Sequence, residues 1–149
     1  MLTLAFVSSV IYVSATDTSN FQVTILGDPE PVISVQVPDT IFLGETRAGE
    51  QTTDARVDIN NTGNVAITVT PRLASGANDI FTNLYFRRIT SEPYYKIGDY
   101  RHNISAPADG GVKSSYMYVK LDLREYPDNF AVGSVNRINS DVKFLAVAQ

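Results

Sequence analysis

Short runs in which apolar and polar residues alternate recur along most of the chain. The run VISVQV at residues 32–37 places Ile33, Val35 and Val37 on one face and Ser34 and Gln36 on the other. Comparable runs begin at residues 21 (FQVTIL), 81 (FTNLYFRRI), 94 (YYKIGDYRHNI), 115 (SYMYVKLDL) and 141 (DVKFLAVAQ). Successive side chains of a strand point to opposite faces of its sheet, so this pattern predicts about eight short, half-buried β-strands.

The sequence between residues 57 and 69 contains a strong turn signal. Two alternating runs, VDI and VAITV, flank the pentapeptide Asn60-Asn61-Thr62-Gly63-Asn64. Asn and Gly accept the left-handed backbone conformations that tight hairpin turns require. The pattern therefore predicts a β-hairpin here.

Helix signals are sparse, because only residues 74–81 and 124–130 could form a turn or two. The chain has 149 residues, of which 44% are hydrophobic, as expected for one domain with its own core. Many short strands without alternating helices favour an all-β fold. We predict an antiparallel two-sheet β-sandwich, Ig-like or jelly-roll-like, over residues 16–149.

The last run, DVKFLAVAQ, is apolar on both faces. Val142, Phe144 and Ala146 form one row, and Leu145 and Val147 form the opposite row. A strand with two apolar faces is typical of the interior of a sheet that is covered on both sides. We expect this strand to lie inside a sheet.

The opening segment, residues 1–15, contains no charged side chain. A membrane-spanning helix needs about 20 apolar residues, so no stable span is expected after maturation. The length suits the apolar part of a secretory signal, and Val13-Ser14-Ala15 offers small residues for cleavage. We expect residues 1–15 either to direct export or to be retained as an N-terminal segment, and the protein to be extracellular or at the cell surface.

The sequence offers little for catalysis. Cysteine is absent, and the single histidine, His102, has no recognisable nucleophile near it in sequence. We expect His102 to be a surface or loop residue and the protein not to be an enzyme. The net charge of −4 gives no attraction for nucleic acid.

Cofactors are not expected either, although calcium is one alternative. Hard cations such as calcium take oxygen ligands, and several carboxylates lie in predicted loops. They are Asp99, Asp109, Asp122, Glu125 and Asp128. They form no regular calcium-loop series, so a solvated polar rim is the simpler interpretation.

Two further features concern carbohydrate. Six tyrosines could form a sugar-stacking surface, although core or interface packing is the default for Tyr on strands; they are Tyr94, Tyr95, Tyr100, Tyr116, Tyr118 and Tyr126. The triplets Asn60-Asn61-Thr62 and Asn103-Ile104-Ser105 make Asn60 and Asn103 candidates for N-glycosylation. A monomeric surface adhesin or glycan-binding module is therefore one alternative function.

The apolar segment after the opening suggests self-assembly. Residues 16–27 include a candidate donor strand in which Phe21, Val23 and Ile25 share one face. Such a strand can pair with the open edge of a neighbouring copy, and repetition of this contact gives a filament. Pairing within the same subunit is the alternative.

A family resemblance supports assembly. The run GETRAGEQTTDARVDINNTGNVAITVTPRL, with the secretion-like opening and the closing DVKFLAVAQ, resembles the TasA/camelysin-like secreted filament proteins and the related archaeal bundling pili. The resemblance implies a subunit of an extracellular fibre, a homopolymer linked by donor-strand complementation. Residues 1–15 lack the basic residue usual in that family's signal peptides, which leaves open an archaeal type IV pilin-like subunit with a retained N-terminal core helix.

Overall fold

The computed structural model describes residue 23 and residues 30–127 and 133–149. These residues form eight β-strands and one short 3-10 helix, Asp79–Asn83, whose first turn is capped by the Asn78 side chain. The strands are β1 (Val35–Gln36), β2 (Ala55–Asn61), β3 (Ile67–Leu73), β4 (Leu84–Arg87), β5 (Tyr95–Lys96), β6 (His102–Ile104), β7 (Lys113–Leu121) and β8 (Val142–Ala148).

The strands form two antiparallel sheets. The larger sheet has the order β1-β2-β7-β4-β5, and the smaller has the order β6-β3-β8. Every pairing between these strands is antiparallel. The predicted all-β, two-sheet sandwich is confirmed.

The core lies between the two sheets and follows the predicted alternation. In β2, Val57 and Ile59 are fully buried while Arg56 and Asp58 face solvent. The inward rows of the neighbouring strands complete the core, with Ile67, Val69, Phe86, Met117 and Val119 among the most deeply buried side chains. Each such side chain contributes about 1.5–3 kcal/mol through burial.

The predicted hairpin at residues 60–64 is wrong. β2 pairs with β1 and β7 in the larger sheet, whereas β3 pairs with β6 and β8 in the smaller one. The intervening turn therefore crosses from one sheet to the other. The buried Asn61 holds this crossing, because its amide donates to Val65 O at 2.7 Å and to Ser105 O at 3.2 Å. Its carbonyl accepts from Gly63 N at 3.1 Å.

The crossing defines two ends of the sandwich. We call the end at which β2 leads into β3 the lower end, and the opposite end the upper end. β8 begins at the upper end, where Val142 pairs with Leu73, and finishes at the lower end, where Ala148 pairs with Ile67.

The chain alternates between the sheets in the manner of a jelly roll. From β2 to β8 the strands belong to the larger, smaller, larger, larger, smaller, larger and smaller sheet. An eight-stranded jelly roll has this winding, with an additional first strand beside the last one. In the described residues no strand lies beside β8 on that side.

β8 is therefore an edge strand in the described part of the chain, where the expectation that it lies inside a sheet is not met. Its outer row is also uncovered, since Leu145 is 52% exposed and Val147 is 57% exposed. The central strand of this sheet is β3, which contains Pro71. Pro71 is tolerated there because β6 pairs only with residues 67–69, so no ladder hydrogen bond is lost at Pro71.

Candidate strand-accepting groove

The outer edge of β8 presents a row of backbone groups. Gln149 N donates to Ala66 O, and Asp141 O accepts from Ala74 N, so odd-numbered residues direct their backbone groups toward β3. In an antiparallel ladder these groups alternate in direction along the strand. The N–H and C=O groups of Val142, Phe144, Ala146 and Ala148 therefore point away from β3, where no described strand pairs with them.

A groove with an apolar floor and a partly polar lining lies beside this edge. Its floor consists of core side chains of the larger sheet and the 3-10 helix, namely Ile80, Phe81, Leu84, Phe86, Val119, Leu121 and Leu123. Val142 and Phe144 of β8 form one wall and are only half-buried. The groove encloses about 1980 Å³. This exceeds the ~300–1,000 Å³ of ordinary small-molecule pockets and suits a length of polypeptide better.

The second wall is the segment at residues 37–47, which joins β1 to the turn before β2. Ile41 and Leu43 pack against the core from this wall. The Thr46 hydroxyl is buried there and has no hydrogen-bond partner in the described part of the chain. A buried polar atom without a partner is costly, so a peptide in the groove would gain from supplying one.

The chain enters the sandwich at the lower end through a firmly held segment, Glu30 to Ser34. Asn64 accepts a hydrogen bond from Val32 N at 2.6 Å and donates from its amide to Glu30 O at 2.9 Å. The backbone of Val32 lies so close that a Cβ on Gly63 would stand 2.1 Å from Val32 O. We call this segment the arm root, because the candidate donor strand precedes it in sequence.

The candidate donor strand lies almost entirely outside the described residues. Phe21 and Ile25, with the rest of residues 16–22 and 24–27, fall in the part of the chain that the structure does not describe, as do residues 1–15. Val23 is described, and its side chain is 80% exposed. The assignment of Phe21, Val23 and Ile25 to a donor strand remains a prediction.

His102 is not a surface residue, contrary to the expectation. It lies on β6 with only 1% exposure, and its Nδ1 is 2.9 Å from Tyr100 Oη. Its Nε2 is 2.8 Å from Ser115 Oγ on β7, so the ring links the two sheets. Burial, and to a lesser extent the charge of Arg88, lower the pKa of His102 to about 4. This serine–histidine contact is part-buried and joins β6 to β7.

Most of the six tyrosines are engaged in contacts within the subunit. On the outer face of the larger sheet, Arg87 and Lys120 lie 4.4 and 4.0 Å from the centre of the Tyr94 ring, and the Tyr94 hydroxyl donates to Asp54. Burial and this hydrogen bond raise the pKa of Tyr94 to about 12. Asp54 also forms an ion pair with Arg87.

A second cluster on the same face repeats this arrangement. Arg56 lies 4.3 Å from the centre of the Tyr116 ring, which meets Tyr118 edge-on at 5.8 Å. Elsewhere, Tyr100 is buried in the core, Tyr95 lies beside it, and the Tyr126 hydroxyl donates to Asp79. Sugar stacking needs free ring faces, and the cations already occupy a face of Tyr94 and of Tyr116.

The carboxylates considered for calcium do not gather in the described residues. No group of three or more His, Cys, Asp or Glu side chains that could hold a metal occurs among them. Asp122 instead accepts from Arg124 at 2.5 Å and lies 3.8 Å from Lys120 Nζ, contacts that lower the pKa of its carboxyl. Asp128 falls outside the described residues. Calcium binding remains a prediction for this chain.

The two glycosylation candidates lie on opposite outer faces. Asn60 alternates with the buried Ile59 and Asn61, so it faces outward from the larger sheet. Asn103 is exposed on β6, and its carbonyl accepts from Thr68 Oγ1 at 2.8 Å. Neither position borders the groove. Glycosylation at either residue stays a prediction.

Sequence comparisons leave the groove as the main guide to function. Models of known protein families give no match to the chain, and a search of curated proteins gives none either. Among the described residues, no helix has the length and apolar character to cross a membrane.

The sequence alone did not reveal the groove. It named Val142 and Phe144 as apolar, but the wall at residues 37–47 carries no regular alternation that marks it. The available signal was the double apolar character of β8, which indicated that this strand needs a neighbour on each side.

Proposed function

We propose that the protein is the structural subunit of an extracellular filament assembled head to tail by donor-strand complementation. Residues 16–27 of one copy add a strand to the β8 edge of the next copy and fill its groove. The observation that carries this proposal is the outer edge of β8, with which no described strand pairs, beside a groove whose floor is apolar. An added strand completes the jelly-roll winding with main-chain hydrogen bonds and alternating side-chain contacts.

The candidate donor matches the groove in length and chemistry. β8 has seven residues. A donor strand formed by the six residues 21–26 would span about 20 Å at ~3.3 Å per residue. With Phe21, Val23 and Ile25 directed into the groove, each buried side chain contributes about 1.5–3 kcal/mol. An open, apolar edge strand is otherwise an aggregation hazard, which a specific partner removes.

Chain direction favours donation to a neighbour over insertion into the same protomer. The arm root holds Glu30 at the lower end, and β8 runs from the upper to the lower end. An antiparallel insertion within the protomer would place Leu26 near the upper end. Four residues span at most ~14 Å, which is less than the ~20 Å length of β8. Only a parallel pairing is then within reach.

Insertion into a neighbour allows antiparallel pairing with β8 despite the short linker between Leu26 and Glu30. When the lower end of one copy faces the upper end of the next, the donor enters at the upper end and runs antiparallel to β8. This orientation matches the antiparallel pairing of all the described strands. The contact joins two different surfaces and leaves one of each free, so it repeats into an open filament.

Electron microscopy of the exported protein tests the proposal. We expect fibres from the full chain, and we expect a deletion of residues 16–27 to abolish them while the secreted protein stays folded. The matched control replaces Gln22 and Thr24 with Ser, which leaves Phe21, Val23 and Ile25 in place and should preserve the fibres.

Two outcomes would contradict the proposal. Fibres that persist after deletion of residues 16–27 would point instead to a pilin-like core built by residues 1–15. A full chain that stays monomeric at high concentration would favour a solitary binding module. Mass spectrometry of the native N-terminus shows whether residues 1–15 are removed on export.

A further inference from the structure

We propose that an apolar patch at the lower end, formed by Val32, Ile33 and Val112, is a second contact surface between consecutive copies. It lies against the rim of the groove in the next copy, formed by residues 133–141. This inference rests on the proposed strand donation and adds an end-to-end contact between the two subunits to the contact made by the donor strand.

The patch is exposed and lies just before β1 and β7, the two strands that flank β2. Val32, Ile33 and Val112 are 50%, 47% and 58% exposed. Val35 pairs with Asn61, and Asn61 pairs with Lys113, so the residues just before Val35 and Lys113 lie at the lower end, on either side of the end of β2. Three large apolar side chains grouped at one end of a domain are typical of an interaction surface.

The patch is also held in place. Ser34 O accepts from Thr62 N at 3.1 Å, and the Ser34 and Thr62 hydroxyls are 2.7 Å apart. Together with the two hydrogen bonds of Asn64, these contacts fix residues 30–34 to the turn between the sheets. A rigid patch loses little conformational entropy on binding.

The length of the linker identifies the occupant as a second copy. Only residues 27–29 separate the candidate donor strand from Glu30. The four residue steps from Leu26 to Glu30 span at most ~14 Å. A donor inserted from the upper end of a neighbour therefore brings the arm root, and the patch beside it, close to the entrance of that neighbour's groove.

The groove entrance presents a complementary surface. Residues 133–141 line the groove and lead into β8 at its upper end. Within this rim, the side chains of Val135 and Ile138 are exposed. Contact between the two apolar surfaces removes both from water and fixes the rotation of one subunit relative to the next.

The test substitutes Val112→Lys in the full chain and measures the critical concentration for filament formation by sedimentation. We expect an increase of at least tenfold, because the lysine places a charge in an apolar contact. The matched control is Ile89→Lys, which puts the same charge on an apolar residue that is 36% exposed between β4 and β5 and belongs to neither the groove nor the patch. We expect less than a twofold change for it.

Hydrogen exchange separates this inference from the proposed function. Above its raised critical concentration, the Val112→Lys filament should still protect the amides of Phe144 and Ala146, because strand donation is intact. Equal critical concentrations for Val112→Lys and the unmodified chain would overturn the end-to-end contact alone. Absence of filaments from the unmodified chain would instead refute strand donation.

A second variant tests whether Val112→Lys weakens the contact between copies or the folding of the subunit. Ile33→Lys changes another member of the patch and should raise the critical concentration to a similar extent. Thermal melting of both variants as monomers should match that of the unmodified chain. A rise with Val112→Lys that Ile33→Lys does not reproduce would also overturn the inference.

Discussion

The two sides of this sandwich differ in how completely their strands are paired and their inward side chains are buried. On the side of β2 and β7, seven consecutive residue pairs join the strands, and the outer face carries the ion pairs of Arg56 and Arg87. On the side of β8, one edge has no partner among the described residues, and the inward row is only half-buried. The first side is complete within the described part of one copy, whereas on the second side no described strand pairs with the outer edge of β8.

Under the proposed assembly, the closed side holds the stability of the subunit and the open side is where a neighbouring copy binds. A core that is closed around β2 and β7 allows the protomer to fold before it assembles. An open edge at β8 then presents backbone groups and apolar side chains to a partner. Substitutions on the two sides should therefore separate folding from assembly.

The largest effect is expected on the closed side. Ile59 is fully buried in β2, so Ile59→Ala removes buried methyl groups and leaves a cavity. We expect the free energy of unfolding to fall by about 2–5 kcal/mol. Urea denaturation of the monomer measures this loss. A loss below about 1 kcal/mol would show that this side of the core is not closely packed.

A second effect concerns the turn that anchors the arm root. A Cβ at position 63 would stand 2.1 Å from Val32 O, so Gly63→Ala forces the arm root away from the turn. We expect a loss of about 1–3 kcal/mol in the free energy of unfolding. Gly111→Ala is the control, since its Cβ would meet only Ala108 O at 3.1 Å. Equal losses for the two variants would contradict the close contact.

A smaller effect on folding is expected on the open side. Phe144 is half-buried in the protomer, so Phe144→Ala should cost the monomer about 1 kcal/mol, below the usual cost for a buried Phe. In the filament the same side chain would be covered by the donor strand, so the critical concentration should rise far more than the monomer stability falls. Parallel changes in the two quantities would contradict the distinction between the two sides.

The link between the sheets at His102 predicts a modest pH dependence. Its folded pKa of about 4 lies below the ordinary value, so the unfolded chain binds this proton first. Stability from this group is complete above the ordinary histidine pKa and is lost as the pH falls toward 4. We expect His102→Gln to flatten the stability profile over this range, measured by urea denaturation at several pH values. An unchanged slope would show that His102 does not titrate in this way.

Local sequence patterns predicted which residues form strands better than they predicted which strands pair. The alternation in β2, β3 and β7 identified their buried rows, because a period of two depends only on which face meets the core. The turn at residues 60–64 was identified from Asn and Gly, but turn chemistry does not determine which sheet the next strand joins. That choice depends on distant contacts such as Asn61 with Ser105 O.

His102 and β8 show the same limit in different ways. Tyr100, His102 and Ile104 form an inward row with a period of two, a signal of burial that the polarity of histidine obscured. The apolar faces of β8 indicated a strand with neighbours on both sides. Among the described residues β8 has a neighbour on one side only. Under the proposed assembly the other neighbour belongs to another copy, which no local pattern reveals.

Disulfide trapping tests the central claim most directly, because the natural chain contains no cysteine. The double variant Thr24→Cys and Leu145→Cys puts one thiol on the outward row of the candidate donor and one on the outward row of β8. Lys143 and Val147 serve as alternative positions on β8, to cover a shift of the donor in either direction. Thr24→Cys with Asn103→Cys is the control, since Asn103 lies on β6, at the other edge of the smaller sheet.

After oxidation, electrophoresis without reductant reports which chains are linked. The account predicts a ladder of covalent multimers for at least one β8 position and none for the control. A link formed only within single chains, or no link at any of the three β8 positions, would contradict strand donation between copies.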